Sequence, residues 1–174
     1  MRKIGLFLGV AFMLFSCENK SSSSSSSAVS DIVEIEFTKD GELEFINGEG
    51  EAFRKIDIEI ADTENKRARG LMDRSQMDEN FGMLFIFGDH EVRQHTFYMK
   101  NTRIPLDIMY FDKDSVLINI ARNAQPGADS EAVGGTVAAA EADSKFVVEI
   151  NGGLADEWGM VEGETKIRWE LKEN

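Results

Sequence analysis

Lys100, Asn101 and Thr102 stand as three consecutive polar residues between two apolar runs. Asp107 follows them, flanked by Pro105, Leu106, Ile108 and Met109. A carboxylate in such surroundings is costly unless it is paired or hydrogen-bonded. Lys100, Arg69 and Arg103 are the candidate partners. The pattern has two main readings. In one, a satisfied polar cluster pins a turn and a helix onto a sheet. In the other, these residues form the polar floor of a small-ligand site, where Lys100 and Arg69 recognise an anion and Asn101 and Thr102 orient it. General acid–base work by Lys100 and Asp107 is a third, remoter reading.

Other chemistry is sparsely represented. The chain has no Gly-rich phosphate loop, no Gly-x-Ser-x-Gly elbow and no His-Glu-x-x-His. Its two histidines, His90 and His95, lack helical ligand spacing and read as exposed loop residues. Met72, Met77, Met83, Met99 and Met109 are soft enough for Cu(I), but methionine commonly fills cores, and packing is the expectation. No metal and no cofactor is implied.

The single cysteine carries a different signal. Arg2 and Lys3 precede an apolar run from Ile4 to Phe15, and Leu14-Phe15-Ser16-Cys17 closes it. A spanning helix needs about 20 residues, so this run reads as a cleaved export signal over residues 1–16. The four residues ending at Cys17 resemble a bacterial lipobox, which implies lipidation of Cys17. Ser21 to Ser27 is an unbroken serine run. It has nothing to bury and reads as a flexible linker over residues 17–30, spanning roughly 20 Å as a coil. One globular domain is expected over residues 31–174.

Charge narrows the partners. There are 32 Asp+Glu against 19 Lys+Arg, a net charge of −13. Such a chain repels phosphate backbones and anionic lipid surfaces. Nucleic acid is not an expected partner, and membrane residence rests on the N-terminal lipid. With Cys17 lipidated, no thiol remains for a disulfide or a nucleophile.

The elements that would position these groups are mostly short strands. Period-two alternation predicts strands at Ile32 to Phe37, around Leu43 to Ile46, and at Ile56 to Ile60. Met83 to Phe87 reads as a buried strand. Further strands are expected at Thr96 to Met99, Leu106 to Phe111, Val116 to Ile120, Phe146 to Ile150 and Lys166 to Leu171. Asp62 and Thr63 offer an N-cap for a short helix from Glu64 to Arg69 that ends at Gly70. Gly153 to Trp158 suits a helical turn. Ala121 to Lys145 lacks periodic pattern and reads as a mobile excursion, with a short helix near Val137 to Ala142 as one option. The fold class is mainly β, a single-domain sandwich or barrel-like fold with one or two short helices.

Two segments are dense in motif residues. One runs Arg67-Ala68-Arg69-Gly70-Leu71-Met72-Asp73-Arg74 and on to Gly82-Met83-Leu84-Phe85-Ile86-Phe87. The other runs Phe97-Tyr98-Met99-Lys100-Asn101-Thr102 to Ile104-Pro105-Leu106-Asp107. Over roughly Ile56 to Ile167 the chain resembles the domain-of-unknown-function family numbered 192. A later Glu-x-x-x-Gly pattern of that family is echoed by Glu149-Ile150-Asn151-Gly152-Gly153. Tyr98 stands where the family usually has Trp. The resemblance implies a mainly β, sandwich-like fold and no established activity. The resulting expectation is a lipid-anchored cell-envelope domain facing the periplasm or exterior. It would be a non-enzymatic module binding a small anionic ligand or an envelope protein. The alternative is an envelope enzyme acting on a small polar or glycan-related substrate.

Overall fold

Leu43 and Phe45 alternate with Glu42 and Glu44, and Ile56, Ile58 and Ile60 alternate with Asp57 and Glu59. These patterns become β1 (Gly41–Ile46) and β2 (Ala52–Ala61). The computed structural model describes residues 35–127 and 140–173. These belong to one compact unit, Ile32–Asn174. The remaining strands are β3 (Phe81–Ile86), β4 (Leu106–Phe111), β5 (Leu117–Ala124), β6 (Phe146–Asn151) and β7 (Lys166–Leu171). Two short helices, α1 (Glu64–Arg69) and α2 (Leu154–Glu157), and a 3-10 turn at Asp89–Glu91 complete the elements. The protein is therefore mainly β with two short helices, as the sequence pattern predicts.

The strands form a single sheet in the order β5-β4-β6-β3-β2-β1-β7. Neighbours are antiparallel except β2 and β3, which run parallel. Parallel neighbours cannot be joined by a hairpin, so the connection between β2 and β3 crosses over and carries α1. The Thr63 hydroxyl caps α1 by accepting from the Lys66 amide at 3.3 Å. Gly70 ends the helix at φ 48°, a left-handed conformation that favours glycine. The sheet curls until the Leu117 amide donates to Thr165 O at 2.8 Å and Val116 bridges Lys166. No ladder continues from that bridge, and the sheet stays open.

Both faces of the sheet are covered. Leu43, Phe45, Ile58, Leu84, Met109, Phe111 and Val148 form one core with Leu154 and Ala155 of α2. Phe85, Ile108, Tyr110 and Val147 form the other with Leu71, Met99 and Ile104 from the connections. Every residue of β4 is buried, as expected of a strand packed on two sides.

Three expectations are revised. Ile35 to Phe37 is not strand, although Phe37 stacks on Phe81 with ring centroids 4.1 Å apart. Thr96 to Met99 is not strand either. It lies across the second face, where the His95 and Met99 carbonyls accept from the Ala140, Gly127 and Thr102 amides, so its alternation reflects packing on a sheet rather than pairing within one. Ala121 to Ala124 belongs to β5, and Ala140 to Ala142 is not helical. The signal, Cys17, the serine linker, Ile32 and Val33, and residues 128–139 lie outside the described residues.

Candidate functional site

A cleft of about 340 Å³ opens on the second face, between α1 with its following loop and the segment after β3. Glu149 of β6 is at its floor. Alternation along β6 dictates this placement, because Glu149 points to the same side as Val147 while Val148 and Ile150 point to the other core. Glu149 is only 5% exposed, and its Oε2 has no hydrogen-bond partner among the described residues. Burial with no compensating cation pushes its pKa up to about 8. It is therefore mostly a neutral acid at pH 7.

Aromatic rings wall the cleft. Phe85 meets Phe97 edge to face at 5.0 Å, and Phe97 meets Tyr110 likewise at 5.9 Å. The Tyr110 hydroxyl is pushed to higher pKa by burial and by the neighbouring Glu149. Phe87 stacks on His95 at 3.6 Å. His95 is buried rather than exposed as its loop position suggests. Its Nε2–H donates to the Glu91 carbonyl at 3.0 Å, and burial together with the Arg93 charge lowers its pKa. Gly70 keeps the cleft open above the floor. A Cβ there would meet Phe85 Cζ at 3.3 Å and Glu149 Oε2 at 3.9 Å.

Three guanidiniums line the cleft. Arg67 is occupied. It donates to the Asp62 and Ile86 carbonyls at 2.8 and 3.0 Å and to both Glu91 carboxylate oxygens at 3.1 and 3.3 Å. These bonds clamp α1 to the end of β3. Arg69 and Arg93 are exposed and, among the described residues, carry no ion pair or side-chain hydrogen bond. Also among the described residues, no group of three or more His, Cys, Asp or Glu side chains could hold a metal ion.

The family profile DUF192, described as "Uncharacterized ACR", matches residues 45–169. The chain belongs to the DUF192 family. Two solved structures are similar to this DUF192 domain. A Novosphingobium aromaticivorans protein of unknown function is 33% identical with a TM-score of 0.63, covering 74% of this chain and 84% of its own. A Sinorhizobium meliloti protein described as a candidate transcription regulator is 31% identical with a TM-score of 0.63, covering 80% of this chain and 98% of its own. No protein among the curated sequences matches it.

The DUF192 motif residues separate into two groups. Arg69 and Thr102 line the cleft. Lys100 is exposed, and with Asn101 it forms the tight turn closed by the Thr102 amide donating to Met99 O at 3.2 Å. Asn101 adopts φ 54°, which asparagine tolerates. Its carbonyl accepts from the Asp73 amide at 2.9 Å, joining the two motif segments. The Thr102 hydroxyl donates to Lys100 O at 3.4 Å.

Asp107 is elsewhere. It shares the face of Met109 and Phe111, on the opposite side of the sheet from the cleft. It is fully buried, and its partners are main-chain amides rather than Lys100, Arg69 or Arg103. Oδ1 accepts from Asn123 N at 2.7 Å and Oδ2 from Ala155 N at 2.8 Å. The second bond caps α2, whose N-cap residue Gly153 has no side chain to do so. Gly152 fits against Pro105 and Asn123, where a Cβ would come within 2.7 Å of Asn123 Oδ1.

Glu149, His95, Tyr98 and Arg67 were not singled out as site residues by sequence. For Glu149 a signal existed. It sits between Val148 and Ile150, and the same burial cost that marks Asp107 marks Glu149 as well.

Proposed function

We propose that this DUF192 protein is an exported, lipid-anchored module of the cell envelope that binds a small polar ligand in the Glu149 cleft without transforming it. One observation carries the ligand reading. A buried carboxyl with an unpartnered oxygen forms the floor of an open cleft, and buried polar groups ordinarily have partners. A bound ligand would supply the missing one. Support for the anchor comes from Cys17 at the end of the apolar run and the serine tether behind it. A net charge of −13 gives no support to binding DNA.

Catalysis has one observation in its favour, the displaced pKa of Glu149, since an acid tuned near neutrality suits proton transfer. Among the described residues, however, the titratable neighbour of Glu149 is Tyr110, whose hydroxyl is held in its protonated form by burial. His95 is tied to the Glu91 carbonyl, and the Lys100 and Asp107 required by an acid–base pair do not share a face of the sheet. Binding therefore ranks first.

The cleft is tested by soaking a mixed set of small acidic, basic and neutral fragments into crystals of the full-length chain in mild detergent. Fragments should cluster between Gly70, Phe97 and Glu149, and an empty cleft under all of them would defeat the reading. The anchor is tested by Cys17→Ser, which should move the protein from the detergent phase to the aqueous phase. Intact mass showing an unlipidated native chain would remove that part.

A further inference from the structure

We propose that the Glu149 cleft recognises a small zwitterion, an α-amino acid with an apolar side chain. The ligand's ammonium would bind the Glu149 carboxylate, and its carboxylate would bind Arg69 and Arg93 at the mouth. The proposal rests on the reading of this cleft as a small-ligand site.

Opposite charges are called for at the two ends. At the floor, Glu149 Oε2 lacks a partner among the described residues, and it shares with the Phe85 ring the space above Gly70 in a cleft that Phe97 also lines. A carboxylate oxygen next to aromatic rings is the chemistry that takes an ammonium group. At the mouth, Arg69 and Arg93 are unpaired among the described residues, whereas Arg67 is held by Glu91 and two carbonyls. Guanidiniums bind carboxylates bidentately. Arg69 and Arg93 are exposed whereas Glu149 is buried, which sets the arginines toward the solvent side of the cleft. Leu71, Phe85, Phe87 and Phe97 also line the cleft, which suits an apolar side chain. The cleft volume of about 340 Å³ suits one small molecule.

Binding on this geometry is proton-linked. Glu149 enters as the acid, releases its proton to solvent, and meets the ammonium as a carboxylate. The charged and titratable groups around it are Glu64, Arg67 and Arg69 from α1, Glu91, Arg93, His95 and Tyr98 from the segment after β3, and Tyr110 from β4. Glu59 of β2 is already paired with Arg74. Burial and the Arg93 charge lower the His95 pKa, which disfavours its charged form.

The experiment is calorimetric titration of the full-length chain in mild detergent with L-phenylalanine, 2-phenylethylamine and 3-phenylpropionate. L-phenylalanine should bind at least about tenfold more tightly than either singly charged analogue. Its affinity should rise about tenfold per pH unit between about pH 5.5 and 7.5, with proton release seen as a dependence of heat on buffer. Glu149→Gln, which retains the shape, should lower L-phenylalanine affinity to that of 3-phenylpropionate. Arg69→Met combined with Arg93→Met should lower it to that of 2-phenylethylamine. Tighter binding of 3-phenylpropionate, or an affinity that falls with pH, would overturn the proposal, because Glu149 would then act as a neutral donor to an anion. No binding by any of the three would also overturn it. The cleft reading would survive if soaked fragments of other chemistry still occupied the site, and would fall only if none did.

Discussion

Glu59 and Glu149 occupy one row across the sheet, on either side of Met83 and facing the same way. Glu59 pairs in register with Met83 of β3, and Met83 pairs with Glu149 of β6. Both carboxyls are about 95% buried. Glu59 is bonded by the Arg74 guanidinium and by the Thr38 amide, while Glu149 pairs with no cation among the described residues. Two like residues two strands apart thus have opposite fates, one in a buried ion pair and the other a neutral acid under an open cleft.

Stability should fall as pH rises because of Glu149. Its folded pKa of about 8 lies above the ordinary value of 4.5. Below about pH 4.5 both states are protonated and the group contributes nothing. Between there and about pH 8 the unfolded chain sheds the proton that the folded chain retains, so each rise in pH favours unfolding. The full effect is on the order of 5 kcal/mol, or roughly 15 °C in melting temperature. Glu149→Gln should flatten this part of the curve and melt above wild type at pH 8. A pH series of thermal melts on both proteins checks it, and equal slopes would show that Glu149 is ionised in the folded state.

Arg74→Met should be among the more damaging single changes. It leaves the Glu59 carboxylate buried without its cation, at a cost of about 3–5 kcal/mol. Adding Glu59→Leu should recover much of that loss despite the orphaned Thr38 amide. Urea denaturation of both singles and the double gives the coupling, and additive losses would show that the pair is not a unit.

Asp107 and Lys100 should behave independently. Asp107→Asn keeps one acceptor but turns an amide group toward the other main-chain donor, costing about 1–3 kcal/mol. Lys100→Met, at an exposed turn position, should stay within about 0.5 kcal/mol of wild type. The double mutant should equal the sum of the singles. A recovered double mutant would restore a direct pairing between the two.

Deleting Ser21 to Ser27 should leave the melting temperature nearly unchanged, because a serine run offers no apolar surface to a core. Differential scanning calorimetry on the full-length chain decides this, and a loss of several degrees would mean that the segment packs on the domain.

Local patterns in the chain determined most of its elements. The strict alternation around Ile56, Ile58 and Ile60, the Thr63 cap with Gly70 as a stop, and the apolar runs of β3, β4 and β6 are short-range signals. Each is legible because side-chain direction repeats every two residues in a strand and every turn in a helix. The motif segments also marked where this domain invests its polar residues. Three things needed the tertiary structure. The parallel pairing of β2 with β3 depends on contacts between residues far apart in sequence, and it is what lays α1 and Gly70 over the second face. The segment Thr96 to Met99 has a strand-like pattern, yet it joins no strand of the sheet, and the Met99 carbonyl accepts from the Gly127 and Thr102 amides. Asp107 and Glu149 look alike as acids in apolar strands. Only the sheet register puts Asp107 against two main-chain amides on one face and Glu149 under an open cleft on the other. Burial cost can be read from neighbours in sequence, but the partner that offsets it comes from whichever strand or loop the fold brings alongside.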